Sequence, residues 1–189
     1  MMTTIEPALD LHPALRSTTD PRLSLVRGLL HPERPQWTPR ELRDLTWTVV
    51  AELTGPLREL AEYVPEQRWW ARLALTEGVE LWLLTWLPGQ RTKPHDHGGA
   101  SGAFTVLSGE LTEQYRYPSG PIRDLKHTLG NAIGFGAGRA HQLGSASTAS
   151  VPAASVHAYS PPLTPTREYA SLYDVPAEIP SLIPEQVAR

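Results

Sequence analysis

The chain has 189 residues, with 17 basic and 20 acidic side chains for a net charge of −3, seven histidines and no cysteine. No basic stripe or polybasic cluster suits nucleic acid or an anionic membrane, and the longest apolar run, Leu81-Trp82-Leu83-Leu84, is too short to span a bilayer and reads as a buried strand. The absence of cysteine excludes disulfides, thiolate ligands and a thiol nucleophile, so any metal must be held by histidine and carboxylate.

Met1–Glu6 has neither a basic nor an apolar region, so the expectation is no secretion signal and a cytoplasmic protein. The first sixty-odd residues read as helical. Asp20–Leu30 forms one short helix, and Thr38-Pro39-Arg40-Glu41 is a capping box with proline at the first helical position. That box opens a helix carrying Leu42, Leu45, Val49, Ala51 and Leu53, ending near Gly55-Pro56, and a further helix through Leu57–Tyr63 stops at Pro65. From Trp70 the period shortens. Strands are expected at Val79–Leu87, Ala103–Leu107, Leu111–Tyr117, Asp124–Leu129, Ile133–Phe135, Arg139–Leu143, Ala153–Tyr159 and Arg167–Tyr173, with Asp124–Leu129 meeting Ile133–Phe135 across Gly130-Asn131. Eight or so short strands with frequent turns give an all-β core, a sandwich or jelly-roll β-barrel, under an N-terminal layer of short helices. The length suits one domain over 1–189: a helical layer at 1–66, the barrel at 67–173 and a surface tail at 174–189.

The chemistry is concentrated in Gly89-Gln-Arg-Thr-Lys-Pro-His95-Asp96-His97 and, some forty residues on, Gly138-Arg-Ala-His141. Two histidines two apart share one face of a strand, and a third from a neighbouring strand completes a face of three imidazoles around one metal ion. Such a set suits iron, nickel, copper or zinc and leaves the metal's charge for a substrate to neutralise. Ser155, His157 and Tyr159 alternate, so all three side chains face one side of their strand.

In these residues the chain resembles the cupin superfamily. Its first motif, G-x5-H-x-H-x4-E-x6-G, is met by Gly89, His95, His97 and Gly109, with Gly102 in the glutamate position; its second, G-x5-P-x-G-x2-H-x3-N, by Gly130, Gly138 and His141, with Gly136 and Ser145 in place of proline and asparagine. The motif glycines are expected where turns need positive φ or close approach. Three histidines without the glutamate resemble the thiol dioxygenases. Ser155-Val-His157-Ala-Tyr159-Ser-Pro161-Pro162 and His95-Asp96-His97 resemble the cysteine dioxygenase family in particular, over roughly residues 65–165.

That resemblance implies a cupin jelly-roll β-barrel in which His95, His97 and His141 hold Fe(II), and L-cysteine and O2 react to cysteine sulfinic acid, a step of cysteine catabolism. It implies Arg72 as the fork that grips the substrate carboxylate, and Tyr159, oriented by His157 and Ser155, as a donor to that carboxylate or to the oxygen. Two departures stand out. The cysteine that animal members crosslink to the tyrosine is replaced by Gly102, leaving Tyr159 unmodified, and Trp70 stands where the family often has tyrosine. Like-charge repulsion between a ligand carboxylate and a thiolate offers a reason for Gly102.

Blander readings compete. The histidines could be satisfied core residues, Ser155, His157 and Tyr159 a structural hydrogen-bond row, and Arg72 half of an ordinary salt bridge. His12, His31 and His127 read as surface or turn residues, the six tryptophans as packing residues, and Asp96, between the ligands, as structural. The rival functions are a dioxygenase for 3-mercaptopropionate or another small thiol, against which Arg72 argues because those relatives tend to carry glutamine there; a non-catalytic metal- or ligand-binding cupin; and another cupin oxygenase or isomerase. The expected partners are a small thiol and O2, with neither nucleic acid nor membrane; the oligomeric state is left open, a monomer included.

Overall fold

The computed structural model describes residues 9–16, 21–163 and 166–180. Strand β1 (Asp10–Leu11) and a short 3-10 turn lead to helix α1 (Pro21–Leu29) and the long helix α2 (Pro39–Leu60). The strands follow: β2 (Trp70–Leu75), β3 (Glu80–Trp86), β4 (His95–Asp96), β5 (Ser101–Ser108), β6 (Glu110–Arg116), β7 (Arg123–Thr128), β8 (Ala132–Phe135), β9 (Ala140–Gly144), β10 (Ala153–Ser160) and β11 (Arg167–Glu168). They form two antiparallel sheets, one ordered β1-β2-β3-β10-β5-β8 and the other β11-β4-β9-β6-β7.

Helix α2 starts where the capping box puts it. Thr38 Oγ1 accepts from the Glu41 amide at 3.4 Å, and Glu41 Oε2 accepts from the Thr38 amide at 2.9 Å. Arg34, with Thr38 behind it, holds the Glu41 carboxyl down to about 2. Leu42, Leu45, Thr46, Val49, Val50, Leu53 and Leu57 make the buried stripe, which packs on β5, β8 and β10; Ala51, expected on it, is exposed. The expected break near Gly55-Pro56 is a kink at Leu53 (φ −112°, ψ 19°), one turn before the proline that cannot donate to the preceding turn. What reads as two helices is one bent element.

Alternation along β3 and β10 separates two apolar layers. Leu81, Leu83, Ala154, Val156 and Ala158 pack beneath α2, whereas Leu84, Trp86, Ala153 and Tyr159 face the space between the sheets. The functional side chains of β10 belong to this second set.

Several expectations need correction. The Asp124–Leu129 and Ile133–Phe135 segments do not pair: β7 bonds to β6 and β8 to β5, so the Gly130 turn carries the chain from one sheet to the other. The strand expected over Arg167–Tyr173 is only Arg167–Glu168, followed by a 3-10 turn at Leu172–Asp174. Strands β1 and β2 were not foreseen. Gly89, Gly109 and Gly130 have positive φ, but Gly138 does not, and a Cβ there would meet only ordinary contacts. Asp20 and residues 181–189 of the expected helix and tail lie outside the described residues. No described helix is long and apolar enough to cross a membrane.

Candidate metal centre and substrate cavity

Strand β4 lies between β9 and β11, and its register with β9 sets His95 directly opposite His141. His97 follows at the strand's end, so the three rings converge with centroids 4.8–5.1 Å apart. Their ligand atoms lie within 4.8 Å of one another. Each ring has a lone pair to offer. His95 Nδ1 donates to the Lys93 carbonyl at 2.8 Å, and His141 Nδ1 donates to Glu113 Oε1 at 2.7 Å, so in the neutral ring Nε2 is the nitrogen with the lone pair. His97 is fully buried, and neither of its nitrogens makes a well-aligned hydrogen bond, although the Arg139 backbone lies within reach of the ring. Burial first, then the neighbouring His141, pushes His95 down to about 3 and His97 well below the usual histidine range. A buried ring without a well-aligned partner is costly in a purely structural site, and three imidazoles turned to one point fit a metal ion.

Behind the ligands stand two buried carboxylates. Glu113, on β6, accepts from His141, from Arg139 Nε and Nη2 at 3.1 and 2.6 Å, and from His127 Nε2 at 2.9 Å. Burial alone would raise its pKa; the His127 and His141 bonds and the charge of Arg139 outweigh it and hold Glu113 ionised. Asp96 points away from the metal site, as expected, and accepts from the Gly98 amide at 2.7 Å, Arg167 Nε at 3.1 Å and the Tyr169 hydroxyl at 2.5 Å. Burial and the Asp96 bond push Tyr169 up to about 12, so it remains a donor. His127 is buried rather than superficial, because β7 turns it inward onto Glu113.

On β10, Ser155 Oγ lies 2.8 Å from His157 Nε2, and His157 Nδ1 lies 3.3 Å from the Tyr159 hydroxyl. Trp86 Nε1, a donor only, reaches Ser155 Oγ at 3.0 Å. A neutral His157 satisfies the row in one direction: Trp86 donates to Ser155, Ser155 to Nε2, and Nδ1–H to the Tyr159 oxygen, leaving the phenolic proton free for the cavity. Burial, with Arg68 next, keeps His157 well below the usual range, and burial raises Tyr159 so that it stays protonated. Tyr159 stacks on His97, with ring centroids 5.1 Å apart, which joins the row to the metal site.

A cavity of about 430 Å³ opens over these groups, lined among others by Arg68, Trp82, Arg91, His95, His97 and Tyr159. Arg72 is not among its lining residues. Arg72 shares a face of β2 with Trp70 and lies opposite Trp82, but it reaches away from the cavity to Asp10 at 3.3 Å and borders a separate hollow with Asp10 and Arg16. Of the two arginines that line the cavity, Arg91 is exposed and Arg68, in the segment before β2, is the more buried. It is half-buried, stacks 4.7 Å from the Trp86 ring, and has its pKa lowered by desolvation. No carboxylate among the described residues forms an ion pair with it. Trp70 and Trp82 also line the cavity rather than serving only as packing residues.

The family model for cysteine dioxygenase type I matches residues 51–171. The chain belongs to the cysteine dioxygenase type I family. That family's thiol-dioxygenase branch of the cupin superfamily accounts for the two-sheet architecture. Among solved structures, a double-stranded β-helix protein of Klebsiella pneumoniae is 19% identical, covering 61% of this chain and 89% of its own, with a TM-score of 0.50. The TT1209 protein of Thermus thermophilus is 27% identical over 56% of this chain and 94% of its own, with a TM-score of 0.48. A cupin superfamily protein of Desulfitobacterium hafniense is 16% identical over 55% and 85%, with a TM-score of 0.44. No curated protein matches the chain.

For a cysteine dioxygenase family member, residue 102 is the informative departure. A Cβ on Gly102 would lie 2.5 Å from Phe135 Cζ and 3.0 Å from Tyr159 Cδ1. The Phe135 ring fills the space and itself packs 5.1 Å from His97 and 5.5 Å from His141. Packing therefore supplies a reason for glycine that does not involve the substrate's charge. Sequence reasoning missed Arg68, Trp86, Glu113, His127 and Phe135. The signal available for the first was a second arginine four residues before Arg72; for Glu113, a carboxylate at an inward position of β6.

Proposed function

We propose that the protein is an iron(II)-dependent thiol dioxygenase that converts L-cysteine and O2 to cysteine sulfinic acid. The observation that carries this reading is the convergence of three histidines, with no carboxylate among them, at a cavity that His95, His97 and Tyr159 line together with Arg68, which forms no ion pair among the described residues. Iron(II) held by His95, His97 and His141 would supply the oxidising chemistry and bind the substrate sulfur as thiolate. In the overall reaction both atoms of O2 end on sulfur, and the thiol proton leaves as the sulfinate forms.

The residues of the chain bind and orient. Arg68 offers a planar fork to the substrate carboxylate, and its stacking on Trp86 holds the fork at the cavity wall. Tyr159, its oxygen accepting from His157, directs its proton into the cavity towards that carboxylate or the reacting oxygen. Ser155 and Trp86 fix the His157 ring, so the hydroxyl needs no reorganisation as substrate arrives. Arg72, paired with Asp10 outside the cavity, takes no part.

A second reading, a thiol bulkier than L-cysteine, is favoured by the cavity. Its volume of about 430 Å³ falls in the range of roughly 300–1,000 Å³ that accommodates drug-sized ligands. Oxygen consumption by the iron(II)-loaded protein with L-cysteine, 3-mercaptopropionate, cysteamine and bulkier thiols decides between them. L-Cysteine should be consumed fastest, and cysteamine, lacking the carboxylate, slowest. Arg68→Lys should raise the KM for L-cysteine about tenfold or more, the loss of a charge-assisted bidentate contact, while Arg72→Lys stays within about twofold because an exposed ion pair contributes little. Equal effects of the two substitutions would reject the assignment of Arg68.

A further inference from the structure

The Glu113 cluster is more elaborate than the fold requires. Both carboxylate oxygens are doubly engaged: Oε1 by Arg139 Nε and His141 Nδ1, Oε2 by Arg139 Nη2 and His127 Nε2. The side chain is wholly buried. Its partners are fixed in turn. Arg139 lies 3.6 Å from the Tyr115 ring and 5.4 Å from Phe135, and His127 meets the edge of Phe104 with centroids 5.0 Å apart. Burying an ionised carboxylate costs several kcal/mol even when it is paired, and apolar residues of similar volume often stabilise a core as well or better. Stability alone gives little reason for such a group at this position.

We propose that Glu113 is a positioning residue for the metal ligand His141: clamped by Arg139 and His127, it holds the imidazole in the Nδ1–H form with Nε2 presented to the metal. This rests on the metal-centre reading above. The geometry sets the three ligands apart. His95 leans on a backbone carbonyl, His97 has at most the Arg139 backbone within reach, and of the three only His141 is backed by a carboxylate. A carboxylate behind a ligating imidazole fixes its tautomer and raises its basicity. With Gly102 in place of the superfamily's ligand glutamate, Glu113 places a carboxylate one hydrogen bond behind the metal instead of on it. The coordination position stays open for substrate, and part of the lost electron donation returns through His141.

Glu113→Gln keeps the shape and an acceptor oxygen but removes the charge. Metal affinity of the metal-stripped full-length protein, measured with Co(II) by its visible absorption and with Fe(II) by chelator competition, should fall about 10–100-fold. Leu53→Ala, in the buried stripe of α2 and away from the histidines, serves as the control: it should lower the melting temperature yet leave metal affinity within about twofold. Equal losses of affinity in both variants, or a lower melting temperature with unchanged affinity in Glu113→Gln, would assign Glu113 a structural role and overturn the proposal. If Glu113→Gln does not fold, ¹⁵N-histidine spectra of the Zn(II)-loaded parent decide: a protected proton on His141 Nδ1 supports it, and a proton on Nε2 overturns it. Failure of the parent to bind any of these metals would overturn the metal-centre reading together with this one, whereas binding by parent and Glu113→Gln alike rejects Glu113 alone.

Discussion

A single methyl group at residue 102 is enough to test how tightly the centre is packed. It would sit 2.5 Å from Phe135 Cζ, and the displaced ring packs on His97 and His141. Gly102→Ala should therefore lower stability by about 1–3 kcal/mol, the usual cost of overpacking, and also lower metal occupancy; thermal denaturation and metal analysis check the two, and unchanged occupancy would show that Phe135 moves without consequence for the ligands. His95, His97 and the Ser155-His157-Tyr159 row were legible in the sequence because spacing by two residues shows which side chains share a face, and His141 through the resemblance of its segment to the second cupin motif. Arg68 was not. Two arginines four apart look alike in sequence, and only the fold shows Arg72 drawn to Asp10 and Arg68 at the cavity. Glu113 and His127 were hidden for a similar reason: inward polar residues on β6 and β7 resemble surface ones until the partner strands are known.

Element by element, the metal site depends on a strand of only two residues. Strand β4 is clamped on one side by β9 and on the other by β11, which is tied down by Arg167 and Tyr169 to Asp96 and by Lys93 to Glu168 at 2.7 Å. The buried Asp96 carries most of this clamp, since the Lys93–Glu168 pair is exposed. Asp96→Asn should cost about 1.5–3 kcal/mol, the worth of hydrogen bonds to a charged group, and should speed amide hydrogen exchange in β4 and β11 while β10 stays protected. Uniform acceleration across all strands would show that Asp96 stabilises the whole fold rather than the clamp. The helices and central strands were readable from capping and alternation, whereas the assignment of β7 and β8 to different sheets was not, because a short turn with glycine suits a hairpin and a sheet-to-sheet crossing equally well.

At the scale of the molecule, the buried centre makes stability depend on pH from both sides. His97 and His157 are held well below the usual histidine range, and His95 at about 3, all by burial first. An unfolded chain protonates these residues below about pH 6.5 while the folded one does not, so the unfolded state binds more protons and stability falls as the pH drops below that value. Each such histidine contributes a slope of up to about 1.4 kcal/mol per pH unit. Tyr159 is raised by burial, so its contribution is present below about pH 10 and is lost as the unfolded chain ionises above it. Denaturant unfolding of the metal-stripped protein should show a plateau between these limits, with the steeper limb on the acid side. A flat profile down to pH 5 would contradict the account of the histidines as buried and neutral.

On the proposed reading, this centre delivers both atoms of O2 to the sulfur of L-cysteine. Mass spectrometry of the product formed by iron(II)-loaded protein under ¹⁸O2 tests it most directly. The account predicts cysteine sulfinic acid carrying two labelled oxygens, and no such product from protein stripped of metal. Incorporation of one labelled atom, a disulfide as the only product, or an unaltered thiol despite bound iron would contradict it.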